Sequence, residues 1–313
     1  MKKKIILIGG FGFVGSNIFN KLKKKNLIVR LSRRNGFNVL NKKKIIDKIN
    51  SFKPDYIINC AVAHGGLNYI NEKPANIFAE NSKIHFALYE ALSKSKLCDK
   101  STIINLISNC AYFHKLVIQN ENGWLDGEAH DSVQPFAVSK RISYYLSQFY
   151  LKQYSIKSKN LIIPNAFGPG DYTDPRRTHA LNGIIIRFIK SIKSKEKTFS
   201  IWGTGKPKRE WIYVDDISKL ISIEINKNYI KNIEPVNFAQ NKSFSVQYIS
   251  ETVKKILRSK IKLITDPTKM DGAMIKQLGN KKFKRLFGDY KFHNFNNGIK
   301  KTIKYYLKEI HGN

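Results

Sequence analysis

The stretch Lys4-Ile-Ile-Leu-Ile-Gly-Gly-Phe-Gly-Phe-Val-Gly-Ser-Asn-Ile-Phe19 decides the fold. Its apolar run from Ile5 to Ile8 predicts a buried strand, which glycines interrupt at once. The spacing of Val14, Ile18 and Leu22 then predicts a helix. A strand, a glycine turn and a helix in this order are typical of a dinucleotide site, where backbone N–H groups at the helix start approach a pyrophosphate. The alternative is a glycine-rich turn without a ligand.

The composition is typical of a globular protein of 313 residues with one large domain or two unequal ones. Hydrophobic residues make up 42%, enough for a sizeable core, and no apolar run approaches a membrane span. The basic start Met1–Lys4 leads into the first strand with no cleavage site, so we interpret it as structure and not as a signal peptide. The three cysteines, Cys60, Cys98 and Cys110, lack metal-ligand spacing and fit a reducing cytoplasm. We expect no metal.

The formal net charge of +33 raises the question of nucleic-acid binding. The lysines lie in short runs, such as Lys2–Lys4, Lys23–Lys25 and Lys42–Lys44, spread over different predicted elements. No aromatic-basic platform or recognition helix accompanies them. We interpret the charge as a solvated lysine surface, part of which serves an anionic substrate, and expect neither a nucleic acid nor a membrane as partner.

Strands and helices alternate along the first half of the chain. Further strands are predicted at 27–31, 56–60, 102–107 and 160–164, and further helices at 43–52, 74–95 and 136–154. This order predicts an α/β fold with a Rossmann-type doubly wound parallel sheet. Polar side chains at the carboxyl ends of such strands indicate where the site lies.

The pattern changes after Asn165. A polar loop reaches His179, a helix is predicted at 181–192, and a glycine-rich basic turn at 201–211. Asp215-Asp216 resembles a helix N-cap, 236–238 fits one more strand of the main sheet, and helices are predicted at 245–257 and 298–309. We therefore predict a dinucleotide-binding domain of residues 1–165 plus about 212–240. Residues 166–211 and 241–313 would form a smaller C-terminal α/β lobe that binds the substrate in the cleft between the two.

Ser32-Arg33-Arg34 follows the second strand, where an acidic residue usually binds the adenosine ribose of NAD. No acid is present, and arginine accommodates the 2′-phosphate of NADP. This segment favours NADP, although arginines also stack on adenine.

Several motifs lie along the chain: Gly9–Gly15, Ser108-x-Cys110, Lys140, Pro164-Asn165, Gly168-Pro169, His179, Arg187 and Trp202-Gly-Thr-Gly-x-Pro-x-Arg209. Together, over about residues 4 to 290, they resemble the extended short-chain dehydrogenase/reductase family, or NAD-dependent epimerase/dehydratase family. The Trp202–Arg209 string and the His179 loop are the more specific parts. The branch that the chain most resembles is that of the GDP-L-fucose synthases. Within it, size, lysine content and one substitution resemble the GDP-D-glycero-α-D-manno-heptose 4-dehydrogenases of bacterial capsule pathways.

The resemblance implies roles for individual residues. Ser108 would hydrogen-bond the oxygen at C4 of the sugar, and Lys140 would hold the nicotinamide ribose. Cys110 and His179 match the pair that exchanges protons at the carbons flanking the ketone in epimerising members. Alternatively, Cys110 fills a buried space and His179 is a solvated loop residue.

The resemblance also implies two sets of binding residues. The cofactor set comprises Gly9, Gly12, Phe13, Val14, Gly15, Ser32, Arg33, Arg34, Asn38, Ala61, Ala63, Lys140 and Pro164. The substrate set, placed around a GDP-sugar, comprises Asn165, His179, Arg187, Trp202, Arg209 and Lys276. Arginine suits a diphosphate because its donors are permanently charged and bidentate. Trp202 could instead be a core anchor.

One departure from the family pattern bears on catalysis. The family's Tyr-x-x-x-Lys is here Phe136-Ala-Val-Ser-Lys140. The tyrosine exchanges a proton as the hydride moves, and phenylalanine cannot. Lys140, or a water held by Ser108 and Lys140, would have to replace it. Alternatively, Phe136 is an ordinary core aromatic.

Three functions remain open. The favoured one is an NAD-dependent dehydrogenase that oxidises C4 of a GDP-sugar, such as a GDP-manno-heptose, and passes the hydride on to an acceptor such as a keto acid. The second is a 3/5-epimerase or 4-reductase acting on a 4-keto GDP-sugar. The third is a non-catalytic GDP-sugar-binding partner protein. The resemblance favours NAD, whereas Ser32-Arg33-Arg34 favours NADP.

In the family, the helices matching 74–95 and 136–154 pack across a two-fold axis into a four-helix bundle. Exposed aromatic residues on them would indicate a homodimer or homotetramer, and Phe86, Tyr89, Tyr144 and Phe149 are the candidates.

Overall fold

The computed structural model describes residues 2–174 and 177–311, without the side chains of residues 68 and 311. The strands are β1 (Lys4–Ile8), β2 (Leu27–Leu31), β3 (Tyr56–Asn59), β4 (Thr102–Ser108), β5 (Lys157–Ile163), β6 (Asn165–Phe167), β7 (Thr198–Trp202), β8 (Lys208–Tyr213), β9 (Val236–Asn237), β10 (Ser243–Ser245), β11 (Lys262–Asp266) and β12 (Ile275–Lys276). The helices are α1 (Phe13–Leu22), α2 (Lys42–Phe52), α3 (Leu67–Glu72), α4 (Pro74–Ser93), α5 (Gln134–Tyr154), α6 (Ala180–Lys193), α7 (Val214–Lys227), α8 (Val246–Ile256), α9 (Lys281–Phe287) and α10 (Phe295–His311). None of the helices in these ranges is both long and apolar enough to cross a membrane.

The main sheet confirms the predicted α/β fold. Its six strands run in the order β2-β1-β3-β4-β5-β9, and every neighbouring pair is parallel. The chain passes from β1 outward to β2 and then returns to β3 on the other side of β1. The carboxyl ends of β1 and β3 therefore lie at a topological switch point, where such sheets bind ligands.

Helices cover both faces of this sheet, and the alternation of side chains in β1 explains how. Ile5 and Leu7 belong to a core that includes residues of α1 and α7, whereas Ile6 and Ile8 belong to one built with α2, α4 and α5. Successive side chains of a strand point to opposite faces, so a continuous apolar run is what a strand covered on both sides requires.

The region after β5 forms a second group of elements with its own core. β8 pairs with β6, β10 and β12, and β7 pairs with β11. Helices α6, α8 and α10 contribute to one apolar cluster together with Phe199 and Ile201 of β7. The predicted boundary between residues 211 and 212 falls within β8, and the two-domain division stays a prediction.

Two local predictions were wrong. Residues 201–211 are not one turn: β7 ends at Trp202, β8 begins at Lys208, and only 203–207 separate them. The Asp215-Asp216 pair is not an N-cap, because α7 begins at Val214 and both aspartates lie in its first turn. Asp216 is fully buried and instead accepts hydrogen bonds from the Tyr290 hydroxyl and the His293 backbone.

Candidate active site

The glycine turn after β1 leads directly into the N-terminus of α1, next to the topological switch point of the sheet. Gly9 has a φ of +70°, and a Cβ on it would lie 2.6 Å from the backbone nitrogen of Ala61. A Cβ on Gly15 would lie 2.3 Å from the Gly9 carbonyl oxygen, so only glycine fits at both positions. Gly12 precedes α1 without a side-chain cap, and the first turn carries no acid. Free backbone N–H groups and the positive end of α1 fit a dinucleotide pyrophosphate.

Basic side chains flank this turn at the end of β2. The Nη1 of Arg34 donates a hydrogen bond of 2.8 Å to the carbonyl oxygen of Phe11, within the turn itself. The Ser32 hydroxyl accepts a bond from the Arg34 backbone, and Arg33 and Asn38 are exposed. The structure thus brings the predicted basic segment to the glycine turn.

The loop after β3 lies on the other side of the turn and is held by Asn81. The amide oxygen of Asn81 accepts from the Ala63 backbone N–H (3.0 Å), and its Nδ2 donates to the Ala63 carbonyl (2.9 Å). Ala61 contacts the glycine turn, as described above. Pro164 lies between β5 and β6.

A cavity of about 390 Å³ adjoins this region and gathers most of the predicted site. The predicted residues that line it are Cys110, Phe136, Asn165, His179, Arg187, Trp202, Arg209 and Lys276. The His179 ring lies 5.4 Å from the ring of Phe13, the first residue of α1, so the cavity adjoins the glycine turn. Ser108 and Lys140 are beside the cavity and not in its lining.

Cys110 lies between a hydroxyl and a cation. The Oγ of Ser108 accepts a hydrogen bond of 3.2 Å from the Cys110 backbone N–H, and the Nζ of Lys276 lies 3.5 Å from the sulfur. Burial raises the pKa of the thiol, but Lys276, Ser108 and Arg209 outweigh it and bring the pKa below its ordinary value. The surroundings therefore favour the thiolate, which is the reactive form of cysteine.

His179 forms a pair with a buried carboxylate. Its Nδ1 lies 3.0 Å from the Oδ2 of Asp171, which also accepts from the His179 backbone N–H and from Asn182. Burial raises the pKa of Asp171, but the bonds from His179 and Asn182 outweigh it and lower the pKa. An ionised Asp171 requires the proton of a neutral His179 on Nδ1, which leaves Nε2 as an acceptor.

Cationic groups in the cavity lining suit a diphosphate. The Arg187 guanidinium stacks over the ring of Trp202 at 4.2 Å and donates to the Ser200 carbonyl. Burial lowers the pKa of Arg187 to about 10, so it stays charged at neutral pH. Arg209 is held by the carbonyl oxygen of Asp271, at 3.3 Å, and Trp202 is 46% exposed and therefore not a core anchor.

Phe136 lies at the start of α5 and faces the cavity. Its side chain is 5% exposed, and the Lys140 Nζ lies 5.5 Å from its ring centroid. Burial lowers the pKa of Lys140 to about 8 and raises that of the neighbouring Cys60 to about 12. At neutral pH, Lys140 is therefore largely an ammonium and Cys60 a thiol.

Sequence reasoning missed two parts of this cavity. His64 lines the cavity from the loop after β3. It could have been noticed in the sequence, because it is the one ionisable side chain between Ala61 and Gly66. Residues 269–273 line the cavity as well, and their contact with Arg209 depends on tertiary structure alone.

Comparisons with known proteins agree with this geometry. The model of the NAD dependent epimerase/dehydratase family matches residues 5–237. GDP-L-colitose synthase of Yersinia pseudotuberculosis is 27% identical over 311 residues, 98% of each chain. A GDP-L-fucose synthetase of Naegleria fowleri, solved with NADP, superposes with a TM-score of 0.86 at 21% identity and covers 99% of this chain and 96% of its own. A GDP-6-OMe-4-keto-L-xylo-heptose reductase of C. jejuni gives 0.87 at 19% identity and 98% of each chain.

The two solved structures show that the fold is shared. The family model covers the glycine turn, the whole α5 segment and the strands of the main sheet. The chain belongs to the NAD dependent epimerase/dehydratase family.

Proposed function

We propose that the protein transfers a hydride between a nicotinamide cofactor and C4 of a GDP-sugar. The observation that carries this proposal is the joining of two sites: a glycine turn fit for a dinucleotide and a cavity lined by Arg187, Arg209 and Lys276. The ring contact between Phe13 and His179 connects them. A bound NAD(P) would accept or donate the hydride at its nicotinamide ring.

Charge and shape favour a nucleoside diphosphate sugar in the cavity. Two arginines and a lysine match the two negative charges of a diphosphate. The half-exposed indole of Trp202 offers a flat surface for a base. The relatives described above are named for GDP-L-colitose, GDP-L-fucose and a GDP-heptose, which supports GDP as the nucleotide.

The reaction we propose is oxidation of a GDP-manno-heptose to its 4-keto sugar, with NAD as the cofactor, in the synthesis of a capsular polysaccharide precursor. The resemblance to the heptose 4-dehydrogenases supports this sugar and this direction. Ser108 would hold the C4 oxygen, and Lys140 the nicotinamide ribose. Arg33 and Arg34 leave NADP as the alternative cofactor. A keto acid would then accept the hydride from the reduced cofactor and so regenerate the oxidised cofactor.

The test begins with the nucleotide that copurifies with the protein and its oxidation state. GDP-manno-heptose is then added, and the absorbance of reduced nicotinamide and the mass of the sugar are followed, with a UDP-sugar as the control. We expect reduction of the cofactor and loss of two hydrogens from the sugar. The reverse assay supplies a 4-keto GDP-sugar and reduced cofactor. Absence of redox chemistry in both directions overturns the proposal and favours a non-catalytic GDP-sugar-binding protein.

A second candidate is 3/5-epimerisation, with or without 4-reduction, of a 4-keto GDP-sugar. The thiolate-favouring surroundings of Cys110 and the Asp171–His179 pair favour it, because both line one cavity and both suit proton transfer at carbon. The synthase and reductase names of the relatives also support it. Deuterium from solvent should enter C3 or C5 of the 4-keto sugar and should fail to do so in Cys110→Ser. No exchange in the unmodified protein excludes this candidate.

A further inference from the structure

His64 lies beside the position that the family's tyrosine would occupy. Its ring centroid is 5.0 Å from the Phe136 ring and 4.8 Å from the His179 ring. The loop that carries it is fixed one residue earlier, where Asn81 bonds both backbone groups of Ala63. His64 therefore has a defined place in the cavity lining, next to the side chain that lacks a hydroxyl.

The imidazole of His64 has spare hydrogen-bonding capacity. Its Nδ1 is buried and has no hydrogen-bond partner among residues 2–174 and 177–311. A buried polar atom without a partner in the protein marks a place where a ligand or water completes the bonding. His64 lines the cavity but its Nδ1 is shielded from solvent, so a turn of the ring would be needed for this nitrogen to meet a substrate hydroxyl or a water there.

The groups around His64 keep it neutral in the empty cavity. Burial lowers its pKa to about 3, with His179 and Lys140 acting in the same direction and Asp171 opposing them. At neutral pH the imidazole is therefore uncharged and carries an unprotonated nitrogen, although so low a pKa makes it a weak base in the empty cavity. The diphosphate of a bound substrate would bring negative charge into the cavity and raise the pKa from this value.

We propose that His64 exchanges the proton of the C4 hydroxyl in place of the missing tyrosine. The inference rests on the proposed hydride transfer at C4. In oxidation, the O–H bond breaks and its proton bonds to the imidazole, while the C–H electron pair leaves with the hydride. A bound oxidised nicotinamide would accept that hydride, and the positive charge lost there would be balanced by the one gained on the imidazole. The proton then passes to water in the cavity, and reduction follows the reverse path.

Among the neighbours of His64, Asp171 supports the imidazolium once it forms, whereas His179 and Lys140 oppose it. Asp171 is ionised at neutral pH and is bonded to His179, whose ring packs on His64. Negative charge behind a histidine favours its protonated form. The proposed partner of Lys140 is the nicotinamide ribose, which leaves the substrate proton to another side chain.

The test compares His64→Gln with the unmodified protein in both redox directions. General acid–base catalysis is typically worth 10²–10⁴-fold, so we expect the rate to fall by about 100-fold or more. GDP affinity and nicotinamide content should not change. His114→Gln is the matched control, because His114 is exposed and outside the cavity lining, and it should keep full activity.

A second variant separates proton transfer from packing. In the double variant His64→Gln/Phe136→Tyr, the phenol should restore the rate and introduce a pH dependence that His64→Gln alone lacks. A loss smaller than about 100-fold in His64→Gln, or loss of GDP binding with no rescue by the tyrosine, overturns the assignment. Redox inactivity of the unmodified protein in both directions overturns the proposed function and this assignment with it. Redox activity of the unmodified protein that falls by less than about 100-fold in His64→Gln overturns the assignment alone.

Discussion

The Nζ of Lys276 lies 3.5 Å from the Sγ of Cys110, although the two are 166 positions apart in the chain. The contact arises because β12 pairs with β8 and brings Lys276 alongside Arg209, at the wall of the cavity. A cation at this distance stabilises the thiolate over the thiol. The sheet pairing of a short strand thus controls the chemistry of a cysteine that follows β4.

We expect Lys276→Met to slow the alkylation of Cys110 severalfold near neutral pH. Lys276 helps to lower the pKa of the thiol, so its loss raises that pKa. Because only the thiolate reacts, the variant should need a higher pH to reach the same rate of alkylation. Peptide mass spectrometry after iodoacetamide treatment reads Cys110 apart from Cys60 and Cys98. Lys269→Met, another lysine of the cavity, is the control and should leave the rate unchanged. Equal rates in both variants would show that Lys276 does not activate the thiol.

Arg209→Met should weaken the binding of GDP by about 10-fold or more. A hydrogen bond to a charged group contributes about 1.5–3 kcal/mol, and 1.4 kcal/mol corresponds to a factor of ten in affinity. Calorimetry with GDP measures the effect without any catalytic step. Arg285→Met serves as the control, because Arg285 is exposed on α9 and outside the cavity lining. If the two variants bind GDP equally well, the diphosphate does not lie against Arg209.

The main sheet was predictable because its strands are continuous apolar runs bounded by turns. β5 shows the limit of that signal: it begins at Lys157, three residues before the predicted start. Lys159 interrupts the apolar pattern, yet it is buried because Glu224 of α7, 65 residues further on, pairs with it. A pairing partner so distant in sequence leaves no local trace.

The candidate site divides in the same way. The residues within recognisable motifs, such as Cys110 and Arg209, were predicted and meet in one cavity. His64 was missed, because its position against Phe136 follows from the pairing of β1 with β3 and from the packing of α5. The prediction of a turn over residues 201–211 was wrong for a related reason. The glycines mark the turn, but the strands on either side of it depend on pairing partners far along the chain.

Phe136→Tyr should keep the fold and increase the rate of cofactor reduction. The ring is already accommodated at the start of α5, and Lys140 lies 5.5 Å from its centroid, so the new phenol would lie near a cation that lowers its pKa. Stopped-flow measurements across pH should show a rate that rises as the phenol ionises. Phe113→Tyr, in the segment between β4 and α5 and outside the cavity lining, is the control. If the rate of the variant equals that of the unmodified protein at every pH, a phenol at this position does not take part in proton transfer.

Lys159→Met should destabilise the protein by about 3–5 kcal/mol, because removal of one partner leaves the other charge buried. The Lys159 ammonium bonds the Glu224 carboxylate, which is fully buried, and also the carbonyl oxygen of Ile230. Chemical denaturation measures the free energy of unfolding. Lys42→Met is the matched control: Lys42 pairs with Glu90 at the surface, where such a pair contributes about 0–1 kcal/mol. Equal losses in both variants would contradict a special role for the buried pair.

Phe149→Asp should turn the protein into a monomer if α4 and α5 form the subunit interface. These helices pack on each other within the chain, and their outer face carries Phe86 at 43% and Phe149 at 61% exposure. These two exposed aromatics on neighbouring helices are the reason that we expect a subunit contact there. Two of the four candidates from the sequence were wrong, since Tyr89 and Tyr144 are buried within the chain.

Sedimentation velocity over a range of protein concentrations measures the state directly. The unmodified protein should sediment as a dimer or tetramer, and Phe149→Asp as a smaller species at the same concentration. Tyr248→Asp on α8 is the matched control, because Tyr248 is 42% exposed but lies on a helix away from α4 and α5. Its introduced charge should leave the assembly intact. A monomeric unmodified protein would show that there is no subunit contact. Dissociation of both variants alike would argue against a contact specific to α4 and α5.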